Sequence, residues 1–490
     1  MKKILLFISA VMLVLPFSYP ELYFLSWFAF LPLLYVIEKS TPREAGLWGW
    51  VLGTFLMAGT TYWLYFPVVN HTGLPGPPVI LLVSVLFVLL GLFYALWGYV
   101  YVFIKSRRGF YPFVFAFSWT GIEYLRYLVL RALPFSFVGY TQVGFNSLLQ
   151  FAEMGGVFLL SFIIALINGY LFSLIFLKKK KALFSLVIIS LLVISGGSFR
   201  FYQIQQKERE HISAGIINTV VPQENKWRPE NVKENINIIT EFSQEAKESQ
   251  LIVAPETSLT FDILRNSYYR EIFDEKIEGL DNYIQVGSQA QGEGGGIYNS
   301  SFLIGPGQEV IQRYKKNALV PFGEYIPFEN IIKQIIDIRL GSQVPGEEIT
   351  IFQTNFATWI TPICSEILNP DYIRNNVAKA QFIINQSNEA WFEISSLQEQ
   401  MWTAATFRAV ENRRSVLRSG NFAYAGVLLP TGETRFRSSL KEAGINQTRI
   451  DLNQQETLYQ QTGNIAGLGS LLLILLFLIM KSYRIQLNSN

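Results

Sequence analysis

The chain has 490 residues, of which 50% are hydrophobic, 15% are aromatic and only 16% are charged. An average soluble domain has about 25% charged residues, so this composition is unusual for a soluble protein. The formal net charge of +3 gives no reason to expect a nucleic-acid partner. With two histidines and one cysteine, the chain cannot form an internal disulfide, and no zinc site is expected.

Apolar segments dominate the first 200 residues and recur near the C-terminus. A membrane-spanning helix needs about 20 largely apolar residues, and shorter segments are tolerated. The first two segments are short, and are also compatible with one hairpin or with helices lying in the membrane plane. The start, "MKKILLFISAVMLVLPF", also has features of a signal peptide. The sequence predicts about eight spans, at residues 4–17, 23–37, 47–69, 78–104, 110–125, 155–177, 182–198 and 465–480.

The basic residues predict the orientation of these spans, because cytoplasmic loops are enriched in Lys and Arg. Eight spans with both termini in the cytoplasm place every basic cluster on the cytoplasmic side. These clusters are Lys2 with Lys3, Lys39 with Arg43, 105–108, 178–181, and Lys481 with Arg484. Residues 199–463 are therefore expected on the far side of the membrane, which for the inner membrane of a bacterium is the periplasm. Unpaired thiols tend to be oxidised there, so a single Cys is a liability unless it is used.

The domain prediction follows from these segments. Residues 1–198 form an N-terminal membrane domain of about seven spans, and residues 464–481 form a C-terminal transmembrane helix. Between spans, the stretch 126–154 is too apolar for an ordinary loop and too interrupted for a span. We expect it to lie in the lipid interface, and the alternative is a loop packed on the helices.

Residues 205–455 change to an α/β pattern. Apolar runs rich in β-forming residues alternate with polar helical stretches, and residues 229–243 have the spacing of an amphipathic surface helix. The sequence "GPG" at 305–307 is typical of a hairpin turn. The runs that predict strands are "SAGIINTVV", "SQLIVAPE", "YIQVGSQ", "NSSFLIG", "VIQRYKK", "ATWITPIC", "QFIINQS" and "YAGVLLP".

Three predicted strand ends carry residues capable of chemistry. Glu256 follows a buried strand, Lys315 and Lys316 alternate across another, and Cys364 ends a third just before a predicted helix. A helix N-terminus lowers the pKa of a thiol, so we expect an activated Cys364. Each residue alone has an ordinary structural explanation. Together, a carboxylate base, a cation and a thiol can catalyse amide or ester chemistry without histidine.

The order of these motifs resembles the nitrilase, or carbon–nitrogen hydrolase, superfamily. The resemblance rests on the Glu at a strand end, on "KNALVPFGEYIP", on Cys-x-Glu after a strand, and on "SNEAWF". A domain of this kind after seven spans and before one resembles the apolipoprotein N-acyltransferase branch of that superfamily. The resemblance covers essentially the whole chain and implies an αββα sandwich for residues 205–455.

The resemblance also implies roles for individual residues. Glu256 would be the general base, Lys316 the cation beside the oxyanion, and Cys364 the nucleophile. Glu324 and Glu366 would support them. Trp227 and Trp391 match aromatic positions by the pocket, and "FRAVENRR" resembles a family helix that carries an Arg and a Glu, here Arg408 and Glu411. The chain departs from the family pattern at Ser365, Asn218, Val220 and Glu389, which affects the expected pocket and not the triad.

The implied reaction is a two-step acyl transfer. A membrane phospholipid gives its acyl chain to Cys364 as a thioester, and the α-amine of the diacylglyceryl-cysteine of an apolipoprotein then takes it. The partners would be these two substrates and the bilayer, with neither a metal nor a cofactor. We expect Phe135, Phe137 and Tyr140 in the 126–154 segment to help form an apolar mouth, because aromatic residues favour the interface. A membrane-tethered amidase and a non-catalytic transporter or scaffold are the alternatives.

Overall fold

The computed structural model describes residues 1–105, 111–292, 294–321, 323–325 and 343–489. The chain divides into two compact units. The helical unit comprises Met1–Tyr65, Pro75–Gln206 and Thr457–Asn490, and the α/β unit comprises Phe66–Leu74 and Lys207–Glu456.

The described part of the helical unit contains long apolar helices joined by short connections. Proline often begins them because its missing N–H is not needed in the first turn. Thr41 and Glu44 additionally cap the helix that begins at Pro42. The helices are Lys2–Ser18, Leu31–Ile37, Pro42–Thr61, Gly76–Ile104, Pro112–Val129, Asn146–Leu149, Ala152–Ile175, Lys181–Leu191, Gly197–Gln205, Leu458–Thr462 and Ile465–Ser489. A further helix, Tyr65–Thr72, begins at Tyr65, the last residue of this unit's first segment.

The helices Pro42–Thr61 and Gly76–Ile104 pack with their backbones in close approach. A Cβ atom on Gly98 would lie 2.2 Å from the carbonyl oxygen of Ala45, and one on Gly49 would lie 2.1 Å from that of Tyr94. Glycine is therefore required at both positions, since any larger residue would separate the helices. This small-residue packing is typical of helices inside membranes.

Five helical segments of the described chain are long and apolar enough to cross a membrane. Helices also form at the other three predicted segments. Of these, Lys2–Ser18 has only 17 residues, and Pro42–Thr61 and Pro112–Val129 are less apolar. The five candidate spans are Pro20–Ile37, Gly76–Ile104, Ala152–Ile175, Lys181–Gln205 and Ile465–Tyr483.

The connection at 126–154 is irregular. The helix Pro112–Val129 ends inside it, a 3-10 helix follows at Val138–Gly144, and a short helix lies at Asn146–Leu149. The Arg126 guanidinium, which is buried, donates to the carbonyl oxygen of Phe135 at 2.5 Å. The side chain of Arg126 thus fixes the backbone where no regular helix does.

The α/β unit contains a mixed sheet of twelve strands within the described residues. Each run predicted as a strand contains one, whereas β6, β9, β11 and β12 are absent from the sequence-based prediction. The strands are β1 His211–Thr219, β2 Leu251–Val253, β3 Tyr283–Gln291, β4 Ile297–Ile304, β5 Val310–Lys315, β6 Ile351–Gln353, β7 Thr358–Ile360, β8 Phe382–Asn388, β9 Ser415–Asn421, β10 Gly426–Leu428, β11 Thr434–Arg437 and β12 Gly444–Asp451.

The order of the sheet is β5-β4-β3-β2-β1-β9-β8-β7-β6, with β10, β11 and β12 paired off this path. Strands β1, β2 and β3 are parallel to one another, as are β7, β8 and β9, and β1 pairs in parallel with β9. The parallel strands therefore share one carboxyl edge. This is the edge at which open α/β sheets bind their ligands.

Two apolar cores hold the α/β unit together. In the first, Ile216 of β1 and Val253 of β2 pack in one cluster with Trp359, Ile384 and Leu417 of β7, β8 and β9. The two halves of the sheet thus share one core. In the second, the helices Val232–Glu245 and Ser267–Ile277 cover the other face of β1 to β4. The helices Gln223–Lys226, Pro370–Asn376 and Ser396–Asn412 also belong to the described α/β unit.

Candidate active site

Glu256 lies just beyond the carboxyl end of β2, and its side chain is buried. Its Oε1 accepts a hydrogen bond from Asn299 Nδ2 at 2.7 Å, and its Oε2 accepts one from the backbone N–H of Asn388 at 2.8 Å. Burial raises the pKa of Glu256, and the Lys316 ammonium opposes that effect. A fixed carboxyl group with a raised pKa is a stronger base than an exposed one.

Lys316 follows the last residue of β5, and its side chain is buried beside two carboxylates. Its Nζ donates to Glu324 Oε1 at 2.7 Å and lies 3.9 Å from Glu256 Oε1. Burial disfavours the ammonium, but the Glu324 and Glu256 carboxylates outweigh it and raise the pKa of Lys316. The residue therefore stays a cation throughout the physiological range. Lys315 is only half-buried, and its Nζ lies 4.5 Å from the ring centroid of Tyr298.

Glu324 is fixed by its own loop. Its Oε2 accepts a hydrogen bond from the backbone N–H of Val320 at 2.8 Å, and its Oε1 accepts one from Lys316 Nζ. The carboxylate of Glu324 thus holds the Lys316 ammonium in place. It also raises the pKa of Glu256 by charge repulsion.

Cys364 begins the 3-10 helix Cys364–Leu368, with a φ of 49°. Burial raises the pKa of the thiol to about 12, the Glu256 charge adds to this, and Lys316 opposes it. The expectation that a helix N-terminus lowers this pKa is therefore wrong. The helix has only five residues, and desolvation of the thiolate dominates.

Glu366 connects the nucleophile to the segment that follows Lys316. One carboxylate oxygen accepts from the backbone N–H groups of Asn317 and Ala318 at 3.0 and 2.9 Å. The other accepts from Ile363 N at 2.7 Å, and the hydroxyl of Tyr314 donates to the same carboxylate. Burial raises the pKa of Glu366. This single carboxylate therefore fixes the backbone immediately before Cys364 and immediately after Lys316.

A buried arginine that the sequence does not reveal, Arg418, positions the backbone at Cys364 through Asn385. Arg418 on β9 donates from Nε to Asn385 Oδ1 at 3.0 Å and from Nη2 to Glu389 Oε1 at 2.6 Å. Asn385 in turn donates to the carbonyl oxygens of Pro362 and Cys364 at 2.9 and 3.2 Å. The ion pair to Glu389, one of the departures from the family pattern, is fully buried.

The remaining predicted site residues are spread over both units. Trp227 is 39% exposed, and Trp391 is half-buried in a short 3-10 helix. Phe137 and Tyr140 belong to the helical unit, where both are buried. They therefore do not line an open surface, and their contact with substrate stays a prediction.

Other buried aromatic and charged residues have packing roles in the structure. Phe135 is buried in the helical unit, where its ring lies against Trp63. Arg408 and Glu411 form an ion pair that is fully buried, with Nε 3.0 Å from Oε2. Across the described ranges, with their gaps at 106–110, 293, 322, 326–342 and 490, no cluster of His, Cys, Asp and Glu is arranged to hold a metal ion.

The fold and site define the class of protein: an α/β domain of the carbon–nitrogen hydrolase type joined to a helical membrane unit. Residues 219–459 match the carbon-nitrogen hydrolase family, and residues 9–170 match the apolipoprotein N-acyltransferase N-terminal domain. A mutant of the Nesterenkonia AN1 amidase from the nitrilase superfamily aligns with 51% of this chain and 94% of its own, at 16% identity and a TM-score of 0.38.

Curated relatives match almost the whole chain. The apolipoprotein N-acyltransferase of Geobacter metallireducens is 30% identical over 474 residues, which cover 94% of this chain and 91% of the relative. That of Pseudomonas aeruginosa PAO1 is 26% identical over 476 residues, with the same coverage. The chain therefore belongs to the apolipoprotein N-acyltransferase family, and it is a membrane protein and an enzyme.

Proposed function

We propose that this enzyme transfers a fatty acyl chain from a membrane phospholipid to the α-amine of the N-terminal diacylglyceryl-cysteine of apolipoproteins. The observation that supports this most is the arrangement of Glu256, Lys316 and Glu324 at the edge of the sheet that also carries the only cysteine. The match of the helical unit to the acyltransferase family separates this activity from that of soluble amidases.

In the first step, the Cys364 thiol attacks the ester carbonyl of the phospholipid. The raised pKa of the thiol means that little thiolate exists at rest, so attack has to be coupled to proton transfer. Glu256 takes the proton as the S–C bond forms, and the Lys316 ammonium stabilises the negative charge on the carbonyl oxygen. Glu256 then gives the proton to the leaving alkoxide, which departs as a lysophospholipid and leaves a thioester.

In the second step, the neutral α-amine of the acceptor attacks the thioester carbonyl. Glu256 accepts the proton that the amine loses, and Lys316 again stabilises the oxyanion. The intermediate collapses with Cys364 as the leaving group, which regains its proton from Glu256. The products are the amide and the free enzyme, so the cycle consumes no cofactor.

We also infer the finer topology from the sequence. Eight spans with both termini in the cytoplasm agree with the distribution of Lys and Arg. In that arrangement the α/β unit, an αββα sandwich, lies in the periplasm of a bacterial inner membrane. Both proposed substrates are anchored in a bilayer by lipid chains, which is consistent with a catalytic domain carried on membrane helices.

Mass spectrometry of the intact protein tests the proposed function. The enzyme is incubated with phospholipid in detergent micelles, and an adduct with the mass of a fatty acyl group is expected on Cys364. Adding a peptide with an N-terminal diacylglyceryl-cysteine should remove the adduct and N-acylate the peptide. An adduct that only water or a small amine removes supports a membrane-tethered amidase. Absence of any adduct supports a non-catalytic protein.

A further inference from the structure

A second buried lysine lies beside Glu256. Lys226 is the last residue of the short helix Gln223–Lys226, and its side chain is only 3% exposed. Its Nζ donates to the backbone carbonyl oxygen of Glu256 at 3.1 Å. The family resemblance includes the neighbouring Trp227 and implies no role for Lys226.

The backbone and side chains around Lys226 hold it in this position. Asn235 Nδ2 donates to the carbonyl oxygen of Lys226 at 3.0 Å. At the other end of the short helix, Asn388 Nδ2 donates to Gln223 Oε1 at 3.0 Å, and the backbone N–H of the same Asn388 donates to Glu256. The segment that carries Lys226 and the carboxylate of Glu256 are therefore tied to a common residue.

A buried ammonium requires a compensating negative charge, because lysine is almost never fully buried unless it is paired. Burial lowers the pKa of Lys226 to about 8, and the Glu256 carboxylate acts in the opposite direction. Glu256 is thus the charge that keeps Lys226 protonated. By the reciprocity of two interacting charges, Lys226 also favours the ionised form of Glu256.

Charges of both signs face Glu256, so its ionisation depends on their balance. Burial raises its pKa most and the Glu324 carboxylate adds to this, while Lys316, the hydrogen bond from Asn299 and, least of these, Lys226 lower it. The Cys364 thiol and the buried Glu389 carboxylate also interact with it electrostatically. Lys316 has the larger effect on the pKa of Glu256, and the Lys226 ammonium adds to it in the same direction.

We propose that Lys226 is a positioning residue for the general base, which fixes the Glu256 backbone through its carbonyl and keeps the buried Glu256 carboxylate ionised. This inference rests on the proposed function, since it takes Glu256 as the base for Cys364. In this proposal the acyl transfer requires two cations beside Glu256, with Lys226 at its backbone carbonyl and Lys316 near its carboxylate.

The test is the pH dependence of acyl-enzyme formation in Lys226→Gln, Lys226→Arg and wild type. The full-length enzymes are mixed with phosphatidylethanolamine and phosphatidylglycerol in detergent micelles, and the Cys364 adduct is followed by mass. Glutamine keeps a donor for the carbonyl but removes the charge. Loss of a positive charge raises the pKa of Glu256, so the acid limb of the profile should move up by about one pH unit. The rate on that limb should fall about tenfold and recover at alkaline pH, and Lys226→Arg should resemble wild type.

The possible outcomes are distinguishable. If Lys226→Gln lowers the rate by the same factor at every pH, or leaves the profile unchanged, the electrostatic role is wrong. If Lys226→Gln does not fold, Lys226→Met is measured in the same way, and the same shift is required of it. Should wild type form no adduct at any pH, the proposed function fails, which is a different result from an unshifted profile in an active variant.

Discussion

The Lys316 ammonium lies closer to the Glu324 carboxylate than to that of the proposed base, Glu256. Its Nζ lies 2.7 Å from Glu324 Oε1 and 3.9 Å from Glu256 Oε1. Glu256 therefore keeps its basicity while the cation remains close enough to act on a developing oxyanion. The Glu324 carboxylate also raises the pKa of Glu256 directly.

Glu324→Gln should make Glu256 a weaker base while leaving its carboxylate in place. With the negative charge gone, the repulsion that raises the pKa of Glu256 disappears and Lys316 is free to approach Glu256. The acid limb of acyl-enzyme formation should therefore move to lower pH, and the plateau rate should fall about 10–100-fold because a weaker base transfers protons more slowly. A shift to higher pH would contradict this account of the pair.

Cys364→Ala should abolish acyl transfer and the thioester while the protein still inserts and folds. Cys364→Ser should be nearly as inactive, because a serine hydroxyl is far less acidic and no histidine lies in the described site to activate it. The measurement is the mass of the intact protein after incubation with phospholipid, together with N-acylation of the peptide. Wild-type transfer by the alanine variant would refute the covalent mechanism.

The two lysines at the end of β5 provide a matched pair of variants. Glu256→Gln and Lys316→Met should each lower the acylation rate by about 10²–10⁴-fold, since they remove the base and the oxyanion cation. Lys315→Met should have a mild effect, because that side chain is half-buried and lies over Tyr298. A severe effect of Lys315→Met with a mild effect of Lys316→Met would reverse the assignment.

The sequence was sufficient for the elements that carry local signals. The glycines of the hairpin turn and the apolar strands lie at or near their predicted positions, and Lys316 directly follows a strand. Strand β9 was missed because "SVLRSGN" contains little apolar periodicity, although all seven residues are buried. Its Arg418 is neutralised by Glu389, and nothing in the local pattern reveals a partner that far along the chain.

The same reason explains one omission and one error of chemistry at the site. Lys226 in "NKW" has the composition of a surface turn, and only the fold around it shows that its ammonium is buried against Glu256. The pKa of Cys364 depends on a competition between a helix terminus and desolvation. The sequence predicts the helix terminus, whereas the desolvation depends on how the folded domain packs around the thiol.

The reaction of Cys364 with iodoacetamide should reflect the raised pKa of its thiol. An ordinary thiol has a pKa of about 8.5, so its alkylation rate levels off above that pH. With a pKa of about 12, the rate at Cys364 should still rise at the highest pH that the protein tolerates. Glu256→Gln removes a negative charge beside the thiol and should increase the rate at a given pH. A plateau below pH 9 in wild type would show that the thiol is not desolvated in solution.

Trp227 and Phe137 should respond differently to substitution, although the resemblance and the apolar pattern make both candidates for substrate contact. Trp227 is 39% exposed, so Trp227→Ala should lower acylation by phospholipid and leave alkylation of Cys364 by iodoacetamide unchanged. Phe137 is fully buried, with its ring 5.0 Å from that of Phe158 and 4.5 Å below the Arg126 guanidinium. Phe137→Ala should therefore cost about 3–5 kcal/mol of stability.

The measurement for this pair combines thermal unfolding with the two rates at Cys364. For Phe137→Ala we expect a lower unfolding temperature, and acylation and alkylation should change together as the folded population falls. For Trp227→Ala we expect an unchanged unfolding temperature and a loss confined to the phospholipid reaction. If Phe137→Ala instead keeps its stability and loses only the phospholipid reaction, Phe137 contacts the acyl chain in a state that differs from this structure. If Trp227→Ala alters both rates equally, its exposed ring is not part of the phospholipid site.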